Sequence, residues 1–191
     1  MTRAVIEVHP IELIDSELSS VASALAADGA AGIAAVADAL GHARRVFVLG
    51  AGRSGLALQM TAMRLMHLGL SVHVVGDSTT PAIGEGDVLL VASGSGTTGT
   101  IVRAAAAARK AGAAVAVITA DPHAPVAEGA AAVITVPAAG KLDRSGSISA
   151  QYAGSLFEQS VVLVGDAIFH LLWTQSGASA DDLWPRHANL E

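Results

Sequence analysis

The run VFVLGAGRSGL, Val46–Leu56, decides the fold. Arg44–Gly50 (RRVFVLG) is a short apolar run with β-branched residues that passes directly into glycines, and it reads as a buried strand. Leu56–Leu68 then repeats at helical spacing until Gly69 stops it. Downstream the same unit recurs. LSVHVVG (Leu70–Gly76), DVLLVAS (Asp87–Ser93), AAVAVIT (Ala113–Thr119) and AAVITVP (Ala131–Pro137) read as four more strands, with a helix over Thr98–Ala111. Near-continuous apolar strands alternating with helices mean a parallel sheet covered on both faces. The expectation is a three-layer α/β/α sandwich around five parallel strands.

Upstream, Leu13, Leu18, Val21, Leu25, Ile33, Val36 and Leu40 mark helical structure from about Pro10 to Leu40, with a break expected at Asp28-Gly29. Downstream, Pro137–Ser149 is a polar crossover, Gln151 to about Gln175 a long amphipathic helix, and Ala178–Glu191 a tail. The chain divides as one domain: a helical extension (1–42), the core units (43–137), then crossover, helix and tail (138–191).

With 191 residues, 52% apolar and 15% charged, the chain can bury a real core, and a disordered or coiled-coil reading is excluded. So apolar a chain is expected to hide surface in an oligomer. Its net charge of −6 and its few aromatics (Phe 3, Trp 2, Tyr 1) argue against a nucleic-acid partner. Cysteine is absent, which removes disulfides, thiolate catalysis and Cys-based metal sites. Glu7, His9 and Glu12 stand where a signal peptide needs an apolar core. The longest apolar stretch, Ser160–Trp173, carries Asp166 and His170 and falls short of the ~18 residues of a span. A cytoplasmic protein without membrane partners is expected.

Two glycine loops carry the chemistry. GAGRSG (Gly50–Gly55) matches G-x-G-x-x-G, but the acid that should follow the second strand arrives late, as Asp77. Arg53 and Ser54 also occupy a loop where a pyrophosphate needs bare backbone. Phosphate or sugar contact is therefore the reading preferred over a dinucleotide or a plain turn. SGSGTTGT (Ser93–Thr100) follows a strand and opens a helix, offering the hydroxyls of Ser93, Ser95, Thr97 and Thr98 beside a helix N-terminus. That is an anion cradle. Lacking lysine, it suits a phosphomonoester held for positioning rather than transferred.

Glu158 lies early in the last long helix, between Leu156-Phe157 and Val161-Val162, and no Lys or Arg of that helix can pair with it. Burial without a partner would raise its pKa toward that of a useful base. The seven histidines (9, 42, 67, 73, 123, 170 and 187) show no ligand spacing, so no metal is expected. His67 ends the helix that starts near Ser54, about 20 Å away at 1.5 Å per residue. It is either structural or completes a neighbouring subunit's site. His187, in WPRHANLE, belongs to a tail whose mixture of Trp, Arg and His suggests docking.

These runs, with MRLMHLGLSVHVVGDSTTPAI (Met63–Ile83), GSLFEQ (Gly154–Gln159) and RHANLE (Arg186–Glu191), resemble the sugar isomerase (SIS) domain, and within it the 6-phospho-3-hexuloisomerases. They span nearly the whole chain in order. One departure is Asp77-Ser78, where those proteins usually have Glu-Thr. The resemblance implies strand order 2-1-3-4-5, a tetramer, and no cofactor. It implies a phosphate grip by Ser93, Ser95 and Thr98, with Ser54 near the sugar hydroxyls. Glu158 becomes the enediol base, and a histidine lent by a neighbour, His67 or else His187, opens the sugar ring. Arg53 and Thr97 are candidates to ease enediol charge. The implied reaction interconverts 3-hexulose 6-phosphate and fructose 6-phosphate downstream of formaldehyde fixation. A non-catalytic phosphosugar sensor and an aldose–ketose isomerase of another phosphosugar are the alternatives.

Overall fold

The computed structural model describes residues 9–140, 143 and 145–190. Glu7 of the leader reading, residues 141, 142 and 144 of the crossover, and Glu191 lie outside the described residues. Five strands form one parallel sheet: β1 (Val46–Gly50), β2 (Val72–Val74), β3 (Val88–Ala92), β4 (Ala114–Thr119) and β5 (Ala132–Thr135), in the order β2-β1-β3-β4-β5. Val48 lies opposite Val74 on one side and Leu90 on the other, so β1 sits inside the sheet. Fold class and strand order are as expected.

Alternation along each strand splits the core into two layers. Val46, Val48, Leu90 and Ile118 face helices α2 (Ala30–Gly41), α3 (Gly52–His67) and α5 (Ser155–Ser176), whose Leu40, Leu58, Leu65, Val164 and Ile168 are buried. Phe47, Leu89, Val91, Val115 and Val117 face α4 (Gly99–Lys110) through Ile101, Ala105 and Ala108. Small residues let α3 and α5 approach closely: a Cβ on Gly165 would collide with Thr61. Helix α1 (Pro10–Ala24) flanks α5.

The expected break at Asp28-Gly29 is not there. Leu25–Gly29 forms a π-helical turn that joins α1 to α2 without leaving helical backbone, with Leu25 packed into the core and onto Gly29. Glycine marked a real irregularity, but an extra residue inside the helix accommodates it. The run Pro10–Gly41 and α5 are therefore both long and apolar enough, by length and composition, to cross a bilayer. In α5 that apolar surface is spent on the sheet, where Val161, Val164 and Ile168 are fully buried.

The helix starts also differ. Helix α3 begins at Gly52 rather than near Leu56, and α5 at Ser155 rather than Gln151. Glycine is a poor helix former, so propensity places the first start too late. The tail folds into α6 (Ala180–Leu183), capped by Ser179 and Asp182, and then a tight turn Trp184–Arg186.

Candidate active site

Strands β1 and β3 are adjacent, yet the chain leaves β1 toward β2 on one side and leaves β3 toward β4 on the other. Loops at such a reversal splay apart beyond the carboxyl ends of the strands, where open α/β sheets bind ligands. A cleft of about 230 Å³ lies there, lined by Ala51–Ser54 after β1, Ser93–Ser95 and Thr98 after β3, and Gly154, Phe157 and Glu158 at the start of α5.

Local sequence explains the shape of each wall. A Cβ on Gly50 would stand 2.8 Å from the backbone of Gly55, and one on Gly55 would stand 2.6 Å from the carbonyl oxygen of Gly50. Only two glycines let β1 turn this tightly into α3, which brings Arg53 and Ser54 to the strand edge. In the second loop Ser93 Oγ and Thr98 Oγ1 lie 3.3 Å apart, tying the two ends together. Gly96, at φ +60°, sits against Ala124 and Val126, where no side chain fits.

The first turns of α3, α4 and α5 all open on the cleft, through Gly52–Ser54, Thr98 and Gly154–Glu158. Helix N-termini carry partial positive charge, so three of them converging favour an anion. Arg53 and Glu158 are the cleft's charged lining residues, and they pair: Arg53 Nε lies 3.2 Å from Glu158 Oε2, while Arg53 Nη1 donates to Ser155 Oγ at 3.4 Å.

This corrects the reading of Glu158 as a carboxylate without a cation. The partner comes from α3 rather than from its own helix, and the side chain is 23% exposed. It likewise changes Arg53, which stands beside the carboxylate as well as at the cleft. Ser54, Ser93, Ser95 and Thr98 line the cleft as expected. Thr97 is not among the lining residues; its N–H and its hydroxyl both donate to Ser95 Oγ, at 3.3 and 3.0 Å. Gly154 and Phe157 complete the cleft, and sequence reasoning missed them, although both fall in the quoted run GSLFEQ.

His67 and His187 do not line this cleft; the structure brings them to each other. Their rings stack at 4.0 Å between centroids, at the opposite end of α3. Arg186 Nη1 donates to the carbonyl of His67 at 3.2 Å, so the tail docks, and the surface it meets is the end of α3. His67 is 4% exposed, and its Nδ1 meets no hydrogen-bond partner among the described residues. Burial, with the charges of His187 and Arg64 added, holds its pKa below the ordinary histidine value. His187, half-buried, is the outer ring of the pair. Among the described residues no three His, Asp or Glu side chains are grouped to hold a metal ion.

The chain is similar to known proteins. The family model described as the SIS domain matches residues 39–159, which contain all three walls of the cleft. A 3-hexulose-6-phosphate isomerase of Mycobacterium gastri is 57% identical over 159 residues, 83% of this chain and 80% of its own. One of Bacillus subtilis is 38% identical over 157 residues, 82% of this chain and 85% of its own. A crystal structure from Methanococcus jannaschii, from which a 3-hexulose-6-phosphate isomerase function was inferred, superposes with a TM-score of 0.79. It covers 95% of this chain and 98% of that one at 24% identity, a likeness of fold.

Proposed function

We propose that this chain, which belongs to the SIS domain family, interconverts 3-hexulose 6-phosphate and fructose 6-phosphate through a 2,3-enediol. It is an isomerase acting on a phosphosugar. The observation that carries the reading is one cleft holding a hydroxyl-lined loop at a helix N-terminus and, across from it, a carboxylate paired with an arginine.

The chemistry follows from the groups present. The phosphate sits on the Ser93–Thr98 loop, where Ser93, Ser95 and Thr98 hold it and the N-terminal end of α4 balances its charge. Ser54 meets the sugar hydroxyls. Phosphate binding energy positions C2 and C3 against Glu158, and this anchoring converts a loose encounter into an oriented one. Moving the ketone from C3 to C2 requires removal of the C2 proton and delivery of a proton to C3. A single carboxylate on one face does both, and Glu158 is that group. Arg53 stands 3.2 Å from Glu158 and, as electron density moves onto O3, donates toward the developing enediolate. Thr97 acts at one remove, holding the Ser95 hydroxyl in place.

Fructose 6-phosphate is mainly a furanose, so the reverse direction also needs a proton moved between O2 and O5. His67 or His187 serves this in a homo-oligomer, a tetramer, whose active sites are shared between subunits. Leu56, Met60 and Met63 support the assembly: they form an apolar stripe along α3, each more than half exposed, from the cleft end toward His67. The reaction needs no cofactor, and we assign the enzyme to the cytoplasm, consuming the product of formaldehyde fixation.

The test is proton exchange followed by NMR in deuterated water with fructose 6-phosphate. Deuterium at C3, with 3-hexulose 6-phosphate appearing, is the expected result. Exchange at C1 instead identifies an aldose–ketose isomerase. Binding without exchange identifies a phosphosugar sensor.

A further inference from the structure

We infer that Glu17, on helix α1 and outside the cleft, is a positioning residue for Glu158. Its half-buried carboxylate gathers the polypeptide just before α5. Oε1 accepts the Ala150 N–H at 2.7 Å, and Oε2 accepts Ser149 Oγ–H at 2.6 Å and Gln151 Nε2–H at 3.0 Å. Gln151 passes the constraint on, because its Oε1 accepts from Gln159 Nε2 at 2.9 Å. Gln159 is the residue next to Glu158. Two routes thus lead from Glu17 to the first turn of α5, one along the backbone and one through the pair of amides.

A carboxylate that accepts three hydrogen bonds is oriented strongly by them. Their effect is visible in its acidity: although burial works the other way, the bonds from Ser149, Gln151 and Ala150 lower the pKa of Glu17 below its ordinary value. The segment held this way leads into a strained one. Ala153 takes φ +51°, the positive-φ non-glycine among the described residues, and Gly154 follows as the cap of α5. Such backbone persists only where surrounding contacts over-determine it. Ser149–Gln151 on Glu17 supply the upstream contacts. Downstream, the Glu158 N–H donates to the Gly154 carbonyl at 3.0 Å, closing the turn that carries the catalytic carboxylate.

The phosphate loop has no part in this arrangement, so the clamp acts on the placing of the base and not on anchoring of the ligand. The inference rests on the isomerase reading for its kinetic consequence but not for its structural one. Two variants, Glu17→Gln and Gln151→Ala, break the chain of contacts at different points. Each is measured for kcat and KM with fructose 6-phosphate and for backbone hydrogen exchange over residues 155–159.

The expected result is a kcat about tenfold lower with KM changed less than about twofold, since misplacing a catalytic group by a fraction of an ångström costs rate before affinity. Exchange in the first turn of α5 rises about tenfold while the strands keep their protection. Unchanged kcat, unchanged exchange at 155–159, or a uniform rise in exchange with kcat and KM failing together overturns the inference. If the unaltered enzyme turns over nothing, the isomerase reading fails, and exchange at 155–159 still decides the clamp.

Discussion

Arg53 and Glu158 meet at 3.2 Å from the first turns of two helices that are distant in sequence. Each reaches the cleft only because its own helix starts there: α3 through the glycine contact at Gly50 and Gly55, α5 through the strained turn at Ala153–Gly154. The pair sets a carboxylate and a guanidinium side by side at the cleft.

Glu158→Gln keeps the shape of the side chain and removes the proposed base. Turnover should fall ~10²-fold or more while fructose 6-phosphate binds nearly as before. Steady-state kinetics beside calorimetric titration measure both quantities. Near-normal turnover would move the base role to another residue.

Ser95→Ala removes an exposed hydroxyl that lines the cleft and accepts two hydrogen bonds from Thr97. Substrate affinity should drop, and some rate with it, because anchoring energy is also used at the reacting carbons. An unchanged KM and kcat would remove the phosphate from this loop.

Shared active sites can be tested by complementation. Glu158→Gln and His67→Ala, each expected to be nearly inactive alone, are mixed after gentle dissociation and reassembled, with mixing verified by mass spectrometry. Activity should return in mixed oligomers, where an intact Glu158 meets an intact His67. If none returns and His67→Ala alone is nearly fully active, ring opening passes to His187, the ring stacked on His67.

Stability should depend on pH through Asp87. This carboxylate is buried at the head of β3, accepts hydrogen bonds from Arg45 at 3.1 and 2.6 Å and from Gly84 N–H at 2.9 Å, and pairs with Arg44 at 3.1 Å. The Arg45 hydrogen bonds outweigh burial and hold its pKa below the ordinary carboxylate value. A lowered folded pKa means the unfolded chain binds the proton more readily. The contribution is complete above pH ~4 and is lost as pH falls through the lower, folded value. Asp87→Asn should cost about 1–3 kcal/mol at neutral pH and flatten that acid limb in denaturation curves.

The architecture was legible in the sequence because strands buried on both faces announce themselves as apolar runs, and each run here ends in glycine or a turn. The hydroxyls of Ser93, Ser95 and Thr98 were legible for the same reason, being fixed by their place after β3. Arg53 as the partner of Glu158 was not. No periodicity links two positions on different helices, and a search for partners within α5 looks along the wrong axis. Glu17 was hidden more completely, since one glutamate on a helix beside serines carries no local sign of what lies across from it. The stacked histidines fall between these cases: each was singled out, but only the folded chain reveals their contact.

The π-helical turn at Leu25–Gly29 sets the rotational phase of α1. An α-helix advances about 100° per residue, so deleting one residue from this turn would let it relax to an ordinary helix and swing Glu17 around by roughly that angle. The carboxylate would then point away from Ser149–Gln151. Substitutions within Leu25–Gly29 are tolerable wherever packing allows, whereas a change of length by a single residue is not. The turn that carries Glu158 thereby imposes a reading-length constraint on an N-terminal helix far from it in sequence.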